Sequence, residues 1–287
     1  MKIIERTAKE WQPTGRRESA PMFAEAEQED CVVVDKANQQ IVAIQIQLSD
    51  DTFDLTQQMK RILRHDFSWE KIVKQELGRP ARLSGIASAN KVFGTLEPNR
   101  LRQRFGCKSA ALDRDFPELR ALLGQLLVSS HKQLETVEPY RTKDHQQLIE
   151  SKIHPDWLIA GMPFTSGIIN YSAALPYHRD SGNVLGSWSV MIALRKHMAG
   201  GQLHLPEYDV VLGVPDRSII FFNGQSTWHG VTPMVAAKKD AYRFTIVYYA
   251  KRKICDCLSI AEEQHRAAVN AMHSAQPLFA GKTNIDE

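Results

Sequence analysis

The chain has 287 residues, 43% hydrophobic and 24% charged, with a formal net charge of +3. This is an ordinary globular composition with enough apolar residues for a substantial core, and no apolar run approaches a membrane span. The start, Met1-Lys2-Ile3-Ile4-Glu5-Arg6, carries no apolar signal stretch, so the expected location is cytoplasmic or nuclear, not secreted.

Residues 1–29 are polar, interrupted by Pro13, Gly15 and Pro21, and read as loosely ordered or draped. Cys31–Val34 and Ile41–Ile46 flank a polar turn and predict a β-hairpin. Leu55, Met59, Ile62 and Leu63 recur at helical spacing and predict a helix over 54–64, with a second over 68–77 ending near Gly78-Arg79-Pro80. Asp115 and Pro117 signal the start of a long helix to about residue 136, with Leu119, Leu122, Leu123, Leu126 and Leu127 as its buried stripe. Across 60–120, fourteen Lys or Arg face seven acids, a balance of +7 that leaves −4 elsewhere. Such asymmetry points to a polyanionic partner.

From residue 157 the texture changes to short strands separated by Gly, Pro and Asn: 187–194, 202–205, 210–214, 218–222 and 243–249. Antiparallel strands at such intervals suggest a sandwich or jelly roll. Ser259-Ile260-Ala261-Glu262 is a capping-box pattern opening a C-terminal helix to about 274. The expected architecture is α+β and a single unit over 1–287. Its parts are an N-terminal hairpin and helical buttress (1–150), a jelly-roll core (151–252) and a C-terminal helix (253–287). Cys31, Cys107, Cys255 and Cys257 are scattered. They read as free reduced thiols, with zinc at Cys255-Asp256-Cys257 the lesser alternative.

His178-Arg179-Asp180, followed by His229 and Arg243, carries the chemistry. Two imidazoles and a carboxylate can occupy one face of a ferrous ion and leave the other face open. Residues 167–171 and Tyr177 read as strand, and residues two apart share a strand face, so His178 and Asp180 chelate together while Arg179 points away. Arg243 opens a β-branched and aromatic run and offers a guanidinium fork to the carboxylate of a 2-oxo acid. Thr245 shares its strand face and adds a hydrogen bond; Asn170 is a further candidate contact to the cosubstrate. A second H-x-D, His154-Pro155-Asp156 with His204 and Arg217 at similar offsets, ranks far lower. Pro155 disfavours a central strand, and His154 and His204 read as polar surface.

The region from Asn170 to Tyr249 resembles the 2-oxoglutarate- and Fe(II)-dependent dioxygenases. The matching features are the H-x-D, Gly200-Gly201-x-Leu203-x-x-Pro206, Ser218–Gly224, Trp228-His229-Gly230-Val231-Thr232-Pro233 and Arg243-x-Thr245. Within that superfamily it looks most like the TET/JBP group. The resemblance implies a double-stranded β-helix (jelly-roll) core buttressed by the N-terminal helices. It also implies Fe(II) held by His178, Asp180 and His229, with 2-oxoglutarate and O2 as cosubstrates and Arg243 on the far carboxylate. The reaction it implies is oxidation of the 5-methyl group of 5-methylcytosine or thymine in DNA. Asn183, three residues after the metal aspartate, matches an asparagine that helps read the base. The histidine that some relatives carry beyond the last core strand has no counterpart in Ala250-Lys251-Arg252-Lys253. A flipped base would find Tyr171, Tyr177, Trp188 or Trp228 as stacking candidates, and the 60–120 segment would grip phosphates. The rival readings are a protein side-chain or small-metabolite hydroxylase, with Lys239 the alternative carboxylate partner, and a non-catalytic jelly-roll binding module. A base-repair demethylase is less favoured, because the extra Asn and Arg of that family's terminal strand are missing.

Overall fold

The structure is a computed structural model that describes residues 1–15, 17–67, 69, 89–99, 101 and 103–275. The strands are β1 (Lys2–Arg6), β2 (Cys31–Asp35), β3 (Gln40–Gln47), β4 (Ala89–Leu96), β5 (Lys108–Ser109), β6 (Ser166–Tyr171) and β7 (Ser189–Lys196). They continue as β8 (Met198–Gly200), β9 (Leu203–Leu205), β10 (Val210–Leu212), β11 (Ser218–Phe222), β12 (Gly230–Val231), β13 (Met234–Ala236) and β14 (Tyr242–Tyr249). The helices are α1 (Phe53–His65), α2 (Ala111–Asp115), α3 (Pro117–Val137), α4 (Pro139–Glu150) and α5 (Ile260–Ala275).

A nine-stranded sheet in the order β1-β2-β3-β11-β7-β14-β6-β4-β5 dominates, with a small sheet β10-β9-β12 and a β13-β8 pair. The β1–β2 contact is parallel and the other pairings of the large sheet are antiparallel. Its central strands are apolar on both faces because both are covered. Val190, Ile192 and Leu194 of β7 and Ile219 and Phe221 of β11 join the core shared with α1 and α3. Met191 and Ala193, and Ile220 and Phe222, face the other way into the core shared with the small sheet.

The same alternation positions the polar residues. In β14, Tyr242, Phe244, Ile246 and Tyr248 belong to the helix-side core, so Arg243, Thr245, Val247 and Tyr249 face the opposite side. The register aligns Asn90, Asn170 and Thr245 across β4, β6 and β14. Tyr248 donates to Leu123 O at 2.9 Å, which ties the sheet to α3. The expected leucine stripe of α3 is buried throughout, each side chain contributing about 1.5–3 kcal/mol. Pro117 starts α3 where a missing N–H costs nothing. Ser259 and Glu262 form the capping box of α5, with Ser259 N to Glu262 Oε2 at 3.0 Å.

Three expectations need correcting. Residues 1–29 are not merely draped, because β1 pairs with β2 and Lys2 forms an ion pair with Glu27. Ile4 alone of the five β1 residues is buried, too little alternation to read. The segment before residue 150 is more than hairpin and helices, since β4 and β5 form an edge of the large sheet. The cysteines are not all free. Cys107 and Cys257 form a disulfide with Cα atoms 6.0 Å apart, while Cys31 and Cys255 remain thiols. A bridge spanning 150 residues leaves no spacing signature, and it removes Cys257 from any zinc site. The expected helix at 68–77 lies outside the described residues apart from Trp69. Among the described residues, no helix is long and apolar enough to cross a membrane.

The disulfide joins the segment before α2 to the one before α5. Replacing both Cys107 and Cys257 by Ser should lower unfolding stability by about 2–4 kcal/mol. Urea titration of the two proteins under non-reducing conditions measures this; equal midpoints would mean the bond contributes nothing.

Candidate active site

β6 ends at Tyr171, and Ser172, with φ 47°, turns the chain out of the sheet. The expected strand therefore does not run on to His178. An isolated antiparallel bridge does the work instead: His178 N donates to His229 O at 2.9 Å and His229 N to His178 O at 3.0 Å. Asp180 N donates to Gly224 O at 2.8 Å, so the backbone is still extended locally and His178 and Asp180 share a face as expected.

His178 Nε2 lies 3.6 Å from Asp180 Oδ1, and His229 Nε2 lies 4.0 Å from Asp180 Oδ2. The three ligand atoms fall within 4.8 Å of one another and could hold one metal ion. Both imidazoles are oriented for it. His178 Nδ1 meets Pro176 O at 2.8 Å and His229 Nδ1 meets Thr227 O at 3.0 Å, which puts the proton on Nδ1 and leaves each Nε2 lone pair facing inward. Burial drives the His229 pKa down to about 3 and keeps that ring neutral. Burial pushes the Asp180 carboxyl up, against the pull of His178, so a cation between them would restore the carboxylate. Gly224 keeps the space clear: a Cβ there would sit 2.7 Å from Asp180 Oδ2.

The surroundings brace the two ligand-bearing segments. Arg179 points away from the cluster, pairs with Glu207 at 2.6 Å and lies over the Trp228 ring at 5.0 Å. Glu207 also accepts from Trp228 N at 2.7 Å, so one carboxylate links both sides of the bridge. The Tyr177 hydroxyl meets His204 Nδ1 at 2.6 Å. His204 is therefore buried, not surface; burial holds its pKa near 4, making it an acceptor for Tyr177. His154 is exposed and forms no comparable cluster with His204.

A cavity of about 430 Å³ opens beside the triad; Asn170, Asn183, Met191, Thr245, Tyr249 and Lys251 are among its walls. Asn170 and Thr245 are buried, with Asn170 Nδ2 3.4 Å from Thr245 Oγ1. Asn183 is buried and gives Nδ2 to Ser189 Oγ at 3.3 Å. The larger cavity, about 850 Å³ between α3 and β4, includes none of the triad residues.

Arg243 is wholly buried. Its Nη2 donates to Gly201 O at 2.8 Å, while Nε and Nη1 have no partner. Burial first, then nearby Arg195, press its pKa down toward about 9, yet a guanidinium remains charged at neutral pH. An uncompensated buried cation is costly, and an incoming carboxylate relieves that cost. Gly201, with φ +67°, is required here because a Cβ would sit 2.7 Å from Arg243 Nε. Lys239 is exposed, which removes it as the alternative anion partner.

The family described as the oxygenase domain of the 2OGFeDO superfamily, Tet_JBP, matches residues 107–252, half of the chain. The chain belongs to this family. It is a 2-oxoglutarate- and Fe(II)-dependent dioxygenase, and the His-Asp-His donor set fits the metal that the superfamily requires. Among solved structures, NgTET1 in complex with 5mC DNA is similar over 91% of this chain and 92% of its own, with TM-score 0.57 and 13% identity. Full-length Neurospora crassa T7H in complex with alpha-KG covers 80% and 86%, with TM-score 0.38 and 13% identity. The viral collagen prolyl hydroxylase vCPH from Paramecium Bursaria Chlorella virus-1 covers 72% and 94%, with TM-score 0.37 and 12% identity. No curated protein sequence matches the chain.

Several expected contacts of this TET/JBP-family site fall elsewhere. Trp188 stacks on Phe221, and Tyr171 stacks on Trp69, both in the helix-side core. Tyr177 is turned to His204, and Trp228 lies under Arg179. The aromatics that do line the cavity are Phe222 and Tyr249, with Asn90 and Lys251 as polar neighbours. Strand parity from Arg243 through Thr245 is the signal for Tyr249. Of the basic 60–120 segment, Lys60 pairs with Asp216 at 2.7 Å, Arg114 with Asp115 at 3.0 Å, and Arg64 lies over Tyr242 at 4.8 Å. Lys71, Lys74, Arg79, Arg82, Arg100 and Arg102 lie outside the described residues.

Gly201→Ala should displace the Arg243 guanidinium and weaken 2-oxoglutarate binding by about ten-fold or more, roughly 1.4 kcal/mol. Calorimetric titration of the Mn(II)-loaded protein measures this, with Mn(II) affinity itself expected to stay near wild type. Unchanged 2-oxoglutarate affinity would sever the link between the Gly200-Gly201 turn and the cosubstrate.

Proposed function

We propose that this dioxygenase oxidises the 5-methyl group of a pyrimidine base, 5-methylcytosine or thymine, in DNA. The observation that carries the reading is membership of the TET/JBP oxygenase family over residues 107–252. The likeness in fold to NgTET1, solved in complex with 5mC DNA, agrees with it. In this reading the whole chain, 1–287, is one domain. Its two principal sheets make a double-stranded β-helix, the N-terminal helices cover the outer face, and α5 closes the C-terminal end.

The roles of the side chains follow from their environments. His178, Asp180 and His229 hold Fe(II), which together with 2-oxoglutarate and O2 supplies the oxidation of a C–H bond when bound. Arg243 takes the far carboxylate of 2-oxoglutarate with the two N–H groups that the fold leaves unpaired. Thr245 and Asn170, joined on adjacent strands, add polar contacts to the same molecule. Asn183 presents its carbonyl oxygen, which has no partner among the described residues, to the polar edge of the base. Tyr249 offers a ring face within the cavity. A cavity of about 430 Å³ admits one nucleotide base and not a duplex, so the target base must leave its stack.

The deciding experiment incubates the protein with Fe(II), 2-oxoglutarate and methylated or unmethylated DNA, then digests the DNA for mass spectrometry. The expected product is a methylpyrimidine nucleoside that has gained one oxygen, formed in step with succinate. Asp180→Ala should abolish it, whereas Asn183→Ala should keep iron and lose discrimination between bases. Unaltered nucleosides beside an oxidised peptide or small metabolite would replace the proposed substrate. Full Fe(II)-dependent turnover by Asp180→Ala would remove the metal assignment.

A further inference from the structure

A second cleft, about 390 Å³, lies beside the cavity; Arg104, Phe105, Lys253, Asp256 and Arg266 are among its walls. Arg252 N donates to Gly182 O at 3.0 Å, and Lys251 bridges Asn183. The turn Arg252–Asp256 thus begins against the segment carrying His178 and Asp180 and ends in the cleft. On the opposite wall, Glu97 pairs with Lys251 at 2.8 Å and is followed by Pro98, another lining residue. Cleft and cavity are linked through the chain at 251–253, with Lys251 lining the cavity and Lys253 the cleft.

The charges of this cleft are unbalanced. Arg266 is held by the buried carboxylate of Glu263, whose oxygens also accept from Cys107 N and Leu258 N. Arg104 and Lys253 form no close ion pair among the described residues, although the Arg104 charge helps to lower the Glu97 carboxyl pKa. Arg104 Nε is buried without a hydrogen bond. Asp256 supplies an opposing charge in the lining, and Glu97, paired with Lys251, supplies another nearby.

The walls are also fixed in place. The Cys107–Cys257 bond joins the strands of chain that carry Arg104 and Lys253. Asn270 Nδ2 holds Phe105 O at 3.2 Å. Gly106 lets this segment lie against α5, where a Cβ would meet Glu263 O at 2.7 Å. A rigid cationic cleft with an aromatic ring in its wall suits a phosphodiester chain, whose phosphates meet the cations and whose sugars or bases meet the ring.

We propose that the cleft lined by Arg104, Phe105, Lys253 and Arg266 holds the phosphate backbone flanking the nucleotide whose base enters the cavity. This rests on DNA being the substrate. It narrows the grip to Arg104 within the 60–120 segment and adds Lys253 and Arg266 from beyond it.

The test is fluorescence anisotropy of a short labelled methylated DNA over a series of salt concentrations, with the full chain. Arg104→Gln combined with Lys253→Gln should weaken binding about ten-fold or more and reduce the salt slope by roughly two phosphate contacts. Thermal midpoint and 2-oxoglutarate affinity should remain at wild-type values, and Arg104→Lys with Lys253→Arg should retain DNA binding. An unchanged affinity and slope in the Gln pair would overturn the proposal. So would loss of binding to a polyglutamate peptide with DNA affinity intact, since the cleft would then serve acidic protein. Wild-type protein that grips DNA through these residues yet alters no base would leave the cleft standing and remove the substrate proposal. Base oxidation with a KM for DNA indifferent to the Gln pair would remove the cleft alone.

Discussion

Two backbone hydrogen bonds between His178 and His229 are the constraint on which the site depends. They join segments that are remote in the chain and lie outside the regular strands. A side-chain cluster held by loops alone would have many geometries; a reciprocal bridge leaves few. The ring nitrogens then need only their local carbonyls, Pro176 O and Thr227 O, to aim inward. Glu207 reinforces the same junction from outside, holding Arg179 and the backbone of Trp228 together.

The large sheet supplies the other half of the site by a simpler rule. Its central strands are covered on both faces, so most positions are apolar. Polar residues on the inner face are therefore conspicuous: Asn170, Arg243 and Thr245 are buried where packing alone would prefer aliphatic side chains. Asn170 and Thr245 meet across the register and line the cavity, whereas Arg243 has only Gly201 O as a hydrogen-bond partner. The helix-side alternates, Phe244, Ile246 and Tyr248, provide the burial that holds this wall together.

Much of this was legible in the sequence for identifiable reasons. The H-x-D triplet, the distal histidine and the R-x-T run combine residue types that one chemistry needs, and the structure gathers His178, Asp180, His229 and Thr245 around one cavity, with Arg243 buried two residues before Thr245 on the same strand. The long helix and its leucine stripe followed from period and proline placement. The strand β4 did not stand out, because Asn90, Lys91, Gly94 and Thr95 break its apolar pattern. His204 was read as surface because its burial depends on Tyr177, a partner remote in sequence. The Cys107–Cys257 bond was hidden for the same reason. Tyr249 and Lys251 lie close to Arg243 in the chain, but Lys251 pairs with Glu97, the residue after β4, a partner remote in sequence.

Arg243 sets a limit on how sturdy this protein can become. Its guanidinium has a single carbonyl partner within the protein, at a position where methionine or leucine would suit packing better. On the proposed role of Arg243, the scaffold retains an internal weakness that 2-oxoglutarate repairs, and saturation with that small molecule should act as a folding ligand. Selection for heat resistance alone would erase the arginine, and with it the proposed cosubstrate contact.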